Sequence, residues 1–343
     1  MRTRIAALLG AAMAQVAHAQ SLENRLGECR TIAEAEMRLA CFDAVAQSVE
    51  ELATPAVPGE EPAVATAASR EQDRGPLTAA WDLWRPAGRD AIDILPYHSS
   101  YVMPITYGDR TNSAPFTPPT DSMAAGLELD KEEAQFQLSF KLRLIDNLLG
   151  EDGDIWFGYT QRSFWQVYNE EESRVFRETN YEPELMLSFP VNYDFLGLRG
   201  GLVGVSLSHQ SNGRDDPISR SWNRVIGMAG FETENMSLLA RLWYRIPESD
   251  DDDDNPDIED YMGQGDLLFN WEIGEHELEA LLKSNFEFDD LKAGLQLSWS
   301  GPFPGTRAIR WYAQYYYGYG ESMIDQEFLV NRVGVGVALA EWY

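Results

Sequence analysis

Long hydrophobic runs, cysteines, histidines and basic side chains are all scarce in this chain. Beyond the first nineteen residues, no segment holds the ~18 consecutive apolar residues that a membrane helix needs, so helical spans are excluded. The 343 residues carry 27 Lys and Arg against 56 Asp and Glu, a formal charge of −29. With no basic stripe to offset that field, a nucleic-acid partner is excluded. No G-x-S-x-G motif occurs, which rules out the nucleophile elbow of an α/β-hydrolase. Two cysteines and four histidines leave little material for a Cys/His zinc centre.

Aromatic residues, by contrast, are plentiful: 10 Trp, 15 Tyr and 15 Phe. The chain opens with Arg2 and Arg4, an apolar run from Ile5 to Met13, and the small-residue site Ala17-His18-Ala19. That three-part pattern is a secretory signal peptide over 1–19. An exported, aromatic-rich chain without membrane helices is either a periplasmic domain or an outer-membrane barrel, whose strands hide their hydrophobicity by alternation.

Residues 20–51 read as a small helical segment, with Ile32, Met37, Leu39, Phe42 and Val45 apolar. In an oxidising compartment Cys29 and Cys41 are expected to pair. Closing so short a loop contributes about 3 kcal/mol. A pair of metal ligands is the alternative, but no further Cys or His stands nearby. Residues 52–95, rich in Pro, Ala and Glu near their start, read as a linker. The expected place of the helical segment is the periplasm.

From about residue 96 the texture changes to period two. Twelve candidate strands fall near 99–107, 132–144, 153–166, 179–190, 197–209, 220–232, 235–246, 262–273, 276–286, 290–300, 307–318 and 331–342. Phe136, Leu138, Phe140 and Leu142 face one way, and Gln135, Gln137, Ser139, Lys141 and Arg143 the other. Connections alternate between short turns and long polar loops, as in an outer-membrane barrel. The expected fold is an all-β, twelve-stranded antiparallel transmembrane barrel over 96–343, after a small helical extension. An even strand count closes the sheet and removes its edges. Asp250 to Asp254 lack the glycine turn and terminal glutamate of an EF-hand and read as a solvated loop.

One strand breaks its own pattern. In "GVSLSHQSNGRDDPISRSWNR", Val205, Leu207, His209 and Ser211 share a face. If that face meets lipid, two polar groups sit where polarity is costly and needs a reason. Asn223 lies on the next strand, on the face of Val225, within reach of His209. Serine, histidine and an orienting amide are the parts of a nucleophilic triad. An H-x-S on a strand is common, so the residues alone leave a passive barrel, a porin or structural protein, as the alternative.

The stretches "YTQRSFWQVYNEEESRVFRETNYEPELML" (159–187) and "SLSHQSNGRDDPISRSWNR" (206–224) resemble the signature blocks of the outer-membrane phospholipase A family, and the similarity runs from about Pro96 to Tyr343. The resemblance implies a twelve-stranded barrel that hydrolyses phospholipid acyl esters, as phospholipase A1/A2 and lysophospholipase. It implies calcium dependence and activity as a homodimer. The nucleophile then falls on Ser211, the base on His209, the orienting amide on Asn223 and the oxyanion donor on the N–H of Gly213. Calcium ligands fall on the carbonyl of Arg214, on Ser219, and on Ser173 of the partner subunit. A glutamine of the dimer interface falls on Gln161.

Overall fold

The computed structural model describes residues 41, 75–83, 94–113, 128–148, 153–171, 174–195, 198–249 and 253–339. The chain divides into two compact units, Met1–Thr66 and Ala67–Tyr343. In the first, Cys41 is helical and disulfide-bonded. Cys29 and the signal peptide lie outside the described residues, as does the rest of the expected helical segment.

The second unit is the barrel. Its strands are β1 (Ile94–Pro96), β2 (Tyr101–Gly108), β3 (Glu132–Leu148), β4 (Gly153–Trp165), β5 (Phe176–Phe195), β6 (Leu198–Ser211) and β7 (Ser221–Glu232). They continue with β8 (Met236–Arg245), β9 (Gly265–Ile273), β10 (His276–Ser284), β11 (Ala293–Pro302), β12 (Ile309–Gly318) and β13 (Val330–Leu339). Every neighbour is antiparallel, and the β2–β13 and β3–β4 pairings close the sheet. The result is the expected twelve-stranded barrel with one extra short strand, β1, which pairs with β3 below β2. Closure satisfies every ladder without an exposed edge, which an apolar surround demands.

The period-two pattern is realised as two faces. Val102, Leu138, Leu185, Val205, Leu207, Leu242, Leu297, Val333 and Val335 are exposed on the outer wall. The inward face is polar and tightly paired. Near the long-loop rim Arg177 joins Glu133 at 2.9 Å and also meets Asp325; Arg332 joins Glu133 at 2.7 Å and Glu321 at 3.0 Å. Lower down Arg241 joins Asp266 at 2.5 Å, Arg224 meets Glu182, and Arg162 reaches across to Gln296 at 2.9 Å. Each buried charge thus has a counter-charge or a polar partner, which makes its burial tolerable. The cavity left among His98, Gln137, Arg162, Glu182 and Arg241 is about 90 Å³. That space holds a few waters rather than a solute stream; a larger cavity of about 520 Å³ is lined by Pro96, His98, Ser100, Glu277, Ser300 and Tyr312.

Two segments depart from the sequence reading. Within the expected linker 52–95, residues 75–83 are ordered: α1 (Pro76–Ala80) starts with proline at its first turn and enters the lumen at the short-turn rim. Leu77, Trp81 and Leu83 pack there with Trp156, Met186, Leu202, Met228 and Leu239. A Cβ on Gly230 would stand 2.5 Å from Leu77 Cδ2, so the wall is bare where the helix presses on it. Thr78 donates to Glu232 from both its N–H (2.9 Å) and its hydroxyl (2.5 Å), and Arg143 donates to Asp82 at 3.1 Å. Lys141 lies 4.1 Å over the Trp81 ring. Composition hid this segment because only nine residues carry the apolar pattern. The second departure lies between the expected strands 235–246 and 262–273, where the sequence reads as a polar loop: α2 (Ile258–Met262) forms there, and the following strand, β9, begins at Gly265. Ile258 and Met262, four apart, bury with Trp222, Trp243 and Met323.

Candidate active site

Strands β6 and β7 place His209 directly opposite Asn223, and Ser211 opposite Ser221. His209 is exposed, and Ser211 and Asn223 are half-buried. All three stand on the outer face, because the intervening Ser208, Gln210, Trp222 and Arg224 are buried on the lumen side. His209 Nδ1 and Asn223 Oδ1 are 2.9 Å apart. With a carboxamide oxygen as the partner, Nδ1 carries the proton and Nε2 is left free. Asn223 Nδ2 in turn donates to Glu248 Oε1 at 2.9 Å. Ser211 stands one step further toward the rim on the same face; among the described residues its hydroxyl makes no hydrogen bond to His209. Such contacts often close only around substrate.

The loop 212–220 is held by one buried side chain. Asn212 donates to the Ile218 carbonyl at 2.8 Å and to Glu178 at 3.4 Å, and its Oδ1 accepts from the N–H groups of Arg214 (3.2 Å) and Arg220 (3.0 Å). The Arg214 guanidinium donates to the Phe176 carbonyl at 2.7 Å. Gly213 sits between these anchors with φ of +62°, a conformation glycine adopts without strain. It is exposed, and its N–H meets no acceptor among the described residues. The loop therefore presents one free backbone donor two residues from Ser211.

Ser219 closes the same loop and donates to Asp254 Oδ2 at 2.5 Å. Asp253 takes Arg245 at 2.6 Å, and Asn255 Oδ1 accepts the N–H of Ser221 at 2.8 Å. The described end of the acidic run is thus folded against the site loop, not simply solvated. The Ser219 hydroxyl and the Asp254 carboxylate are oxygen donors of the kind that suits a hard cation. No cluster of three His, Cys, Asp or Glu side chains able to hold a metal occurs among the described residues. Ser173 lies outside them.

Gln161 lies on the outer wall, since its neighbour Arg162 reaches into the lumen. It accepts from the Tyr159 hydroxyl at 3.1 Å and donates to Ser163 at 3.3 Å; Thr179 donates to Ser163 at 3.2 Å. This is a polar island facing outward, with Leu138 directly across from Gln161 on β3. Tyr181, on its other side, pairs with Ser211.

The phospholipase A1 family model matches residues 77–339. This chain belongs to the phospholipase A1 family. A putative phospholipase A1 of Neisseria meningitidis serogroup B is 34% identical over 268 residues, covering 76% of this chain and 69% of that protein. Phospholipase A1 of Escherichia coli K12 is 42% identical over 213 residues, covering 62% of this chain and 71% of that one. Among solved structures, a Salmonella typhi outer membrane phospholipase, a dimer with bound calcium, superposes with a TM-score of 0.66 at 37% identity, over 74% of this chain and 94% of that one. As a family member this chain is an acyl ester hydrolase acting on phospholipids, and its barrel is an outer-membrane barrel. The family match begins at Leu77, in α1, so the lumenal helix belongs to the family's portion of the chain.

Sequence reasoning missed Glu248, Asp254 and Asn212. Asn212 carried a local signal, an Asn opening a polar turn. The other two come from a loop over twenty residues downstream, and no periodicity connects them to β6.

Proposed function

We propose that this protein is a calcium-dependent, dimerisation-activated phospholipase that works at the outer leaflet through Ser211, His209 and Asn223. The observation that carries the reading is the 2.9 Å contact of His209 with Asn223 on a lipid-facing wall, one step below Ser211. Polar side chains there are expensive unless they act.

A phospholipid lying along the outer wall brings its ester carbonyl to Ser211. His209 Nε2 takes the serine proton as Oγ attacks, and Asn223 Oδ1 holds the Nδ1–H of the imidazolium that forms. The Gly213 N–H donates to the carbonyl oxygen as it becomes an oxyanion. His209 then delivers its proton to the leaving lysophospholipid oxygen, and a water attacking the acyl-serine returns the enzyme by the same proton path. The neutral amide at 223 gives less charge stabilisation than an aspartate, so other positive charge near the oxyanion gains weight. Calcium would be held by the carbonyl of Arg214, the hydroxyl of Ser219 and Ser173 of the partner subunit, and when bound supplies that charge. The Salmonella typhi relative, a dimer with bound calcium, supports this assignment. Because one ligand comes from the partner, pairing completes the site, and Gln161 would stand in the interface.

Fatty-acid release from detergent-solubilised protein, with Ca²⁺ and with chelator, tests the reading. Release that stops on chelation is expected. Release that ignores chelation contradicts the calcium assignment, and no release in either condition contradicts hydrolysis.

A further inference from the structure

We infer that Glu248 is a positioning residue of the triad, and that its carboxylate decides which way the Asn223 amide points. The inference rests on the triad reading above.

A carboxamide has two nearly equal orientations, and only one serves. With Oδ1 toward His209, Nδ1 is the protonated nitrogen and Nε2 can accept the serine proton. Turned over, the amide would offer N–H to Nδ1, fix the proton on Nε2 and leave nothing to take a proton from Ser211. Hydrogen bonding to His209 alone does not choose, because imidazole adapts its tautomer to either. Glu248 does choose. An ionised carboxylate only accepts, so it binds Nδ2 at 2.9 Å and would repel Oδ1.

The local chain explains how Glu248 comes to be there. The N–H of Ile246 donates to the Asn223 carbonyl at 2.8 Å, the last bond between this segment and β7. Pro247 has no N–H and ends the ladder, and the half-buried Glu248 follows over Asn223. No cation draws the carboxylate elsewhere: Glu248 makes no ion pair among the described residues, and the nearby Arg245 is taken by Asp253 at 2.6 Å. The amide of Asn223 is thus its partner. A neutral orienting residue needs such a guide, whereas an aspartate, with two equivalent oxygens, does not.

The test is a mutant cycle read as kcat and KM on mixed micelles at saturating Ca²⁺. Glu248→Ala should lower kcat about five- to tenfold, the worth of one hydrogen bond, with KM unchanged. Glu248→Gln, which keeps an acceptor oxygen, should recover most of that loss. In an Asn223→Asp background the sign should reverse, since Glu248 then faces a second carboxylate: Asn223→Asp with Glu248→Gln should turn over faster than Asn223→Asp alone. A loop-stability role would give the same cost in both backgrounds, and that result overturns the inference. So does a Glu248→Ala enzyme with wild-type kcat. Ser211→Ala in the same assay separates the two readings: if it retains turnover the triad itself falls, and if it is inactive while Glu248 substitutions are silent, only Glu248 falls.

Discussion

His209 Nδ1 meets Asn223 Oδ1 at 2.9 Å across a directly opposed residue pair of β6 and β7. Backbone pairing, not a flexible loop, sets that distance, so the imidazole is held by the barrel's own register. Asn223→Ala should then lower kcat by about a hundredfold or more while the barrel stays folded. Asn223→Asp should keep measurable turnover, because aspartate also accepts from Nδ1–H. Equal rates for wild type and Asn223→Ala, with heat-resistant electrophoretic mobility as the folding control, would remove Asn223 from the mechanism.

Ser219 donates to Asp254 at 2.5 Å. That bond turns the hydroxyl proton away and leaves its lone pairs available to a cation. Asp254→Ala should weaken calcium affinity by about tenfold, measured as the calcium concentration for half-maximal fatty-acid release, with little change in rate at saturation. An unchanged midpoint would contradict the link between the acidic loop and the metal.

Calcium and pairing should be coupled. If Ser173 serves the partner's site, calcium binds best across two subunits and must favour the dimer by linkage. Gln161→Ala should weaken pairing by about three- to tenfold, the usual worth of a hydrogen bond in an apolar surround. Ser173→Ala should weaken calcium-induced pairing as well. Sedimentation across a calcium titration reads both. A sedimenting mass identical with saturating Ca²⁺ and with chelator, near the pairing threshold, would contradict the two-subunit site.

The helix in the lumen should matter for stability. Leu77 is buried against Gly230 and Leu202, and Leu77→Ala should cost about 2–5 kcal/mol through lost burial and the void left behind. Urea unfolding in lipid vesicles, followed by tryptophan fluorescence, measures it. A change below experimental error would mean that the helix is not part of the cooperative unit.

The barrel was legible because period two is forced on any strand with one apolar and one polar face. Phe136, Leu138 and Phe140 announce β3 without knowledge of its neighbours. His209 and Ser211 stood out for the opposite reason, as a break in that alternation, but the residues alone left a passive barrel open, and their roles with Asn223 came from the family resemblance. What lay hidden depends on contacts between distant segments. The stretch "PLTAAWDL" has no repeat to betray it; its Leu77, Trp81 and Leu83 are explained only by the space inside the barrel. Glu248 sits in a Pro- and Asp-rich loop where composition says solvent, and only the Ile246 to Asn223 backbone bond brings it over the amide. The short helix α2 was hidden in a polar stretch, and β9 begins at Gly265 rather than at 262 because Met262 belongs to that helix and buries beside Ile258.

Hydrolysis by purified Ser211→Ala, at saturating Ca²⁺ and on the same micelles as wild type, tests the central claim most directly. Fatty-acid release should fall by several orders of magnitude, since the members of a triad act as a unit, while the folded barrel and its calcium-induced dimer persist. Substantial turnover by that folded, calcium-binding variant would mean that the nucleophile lies elsewhere.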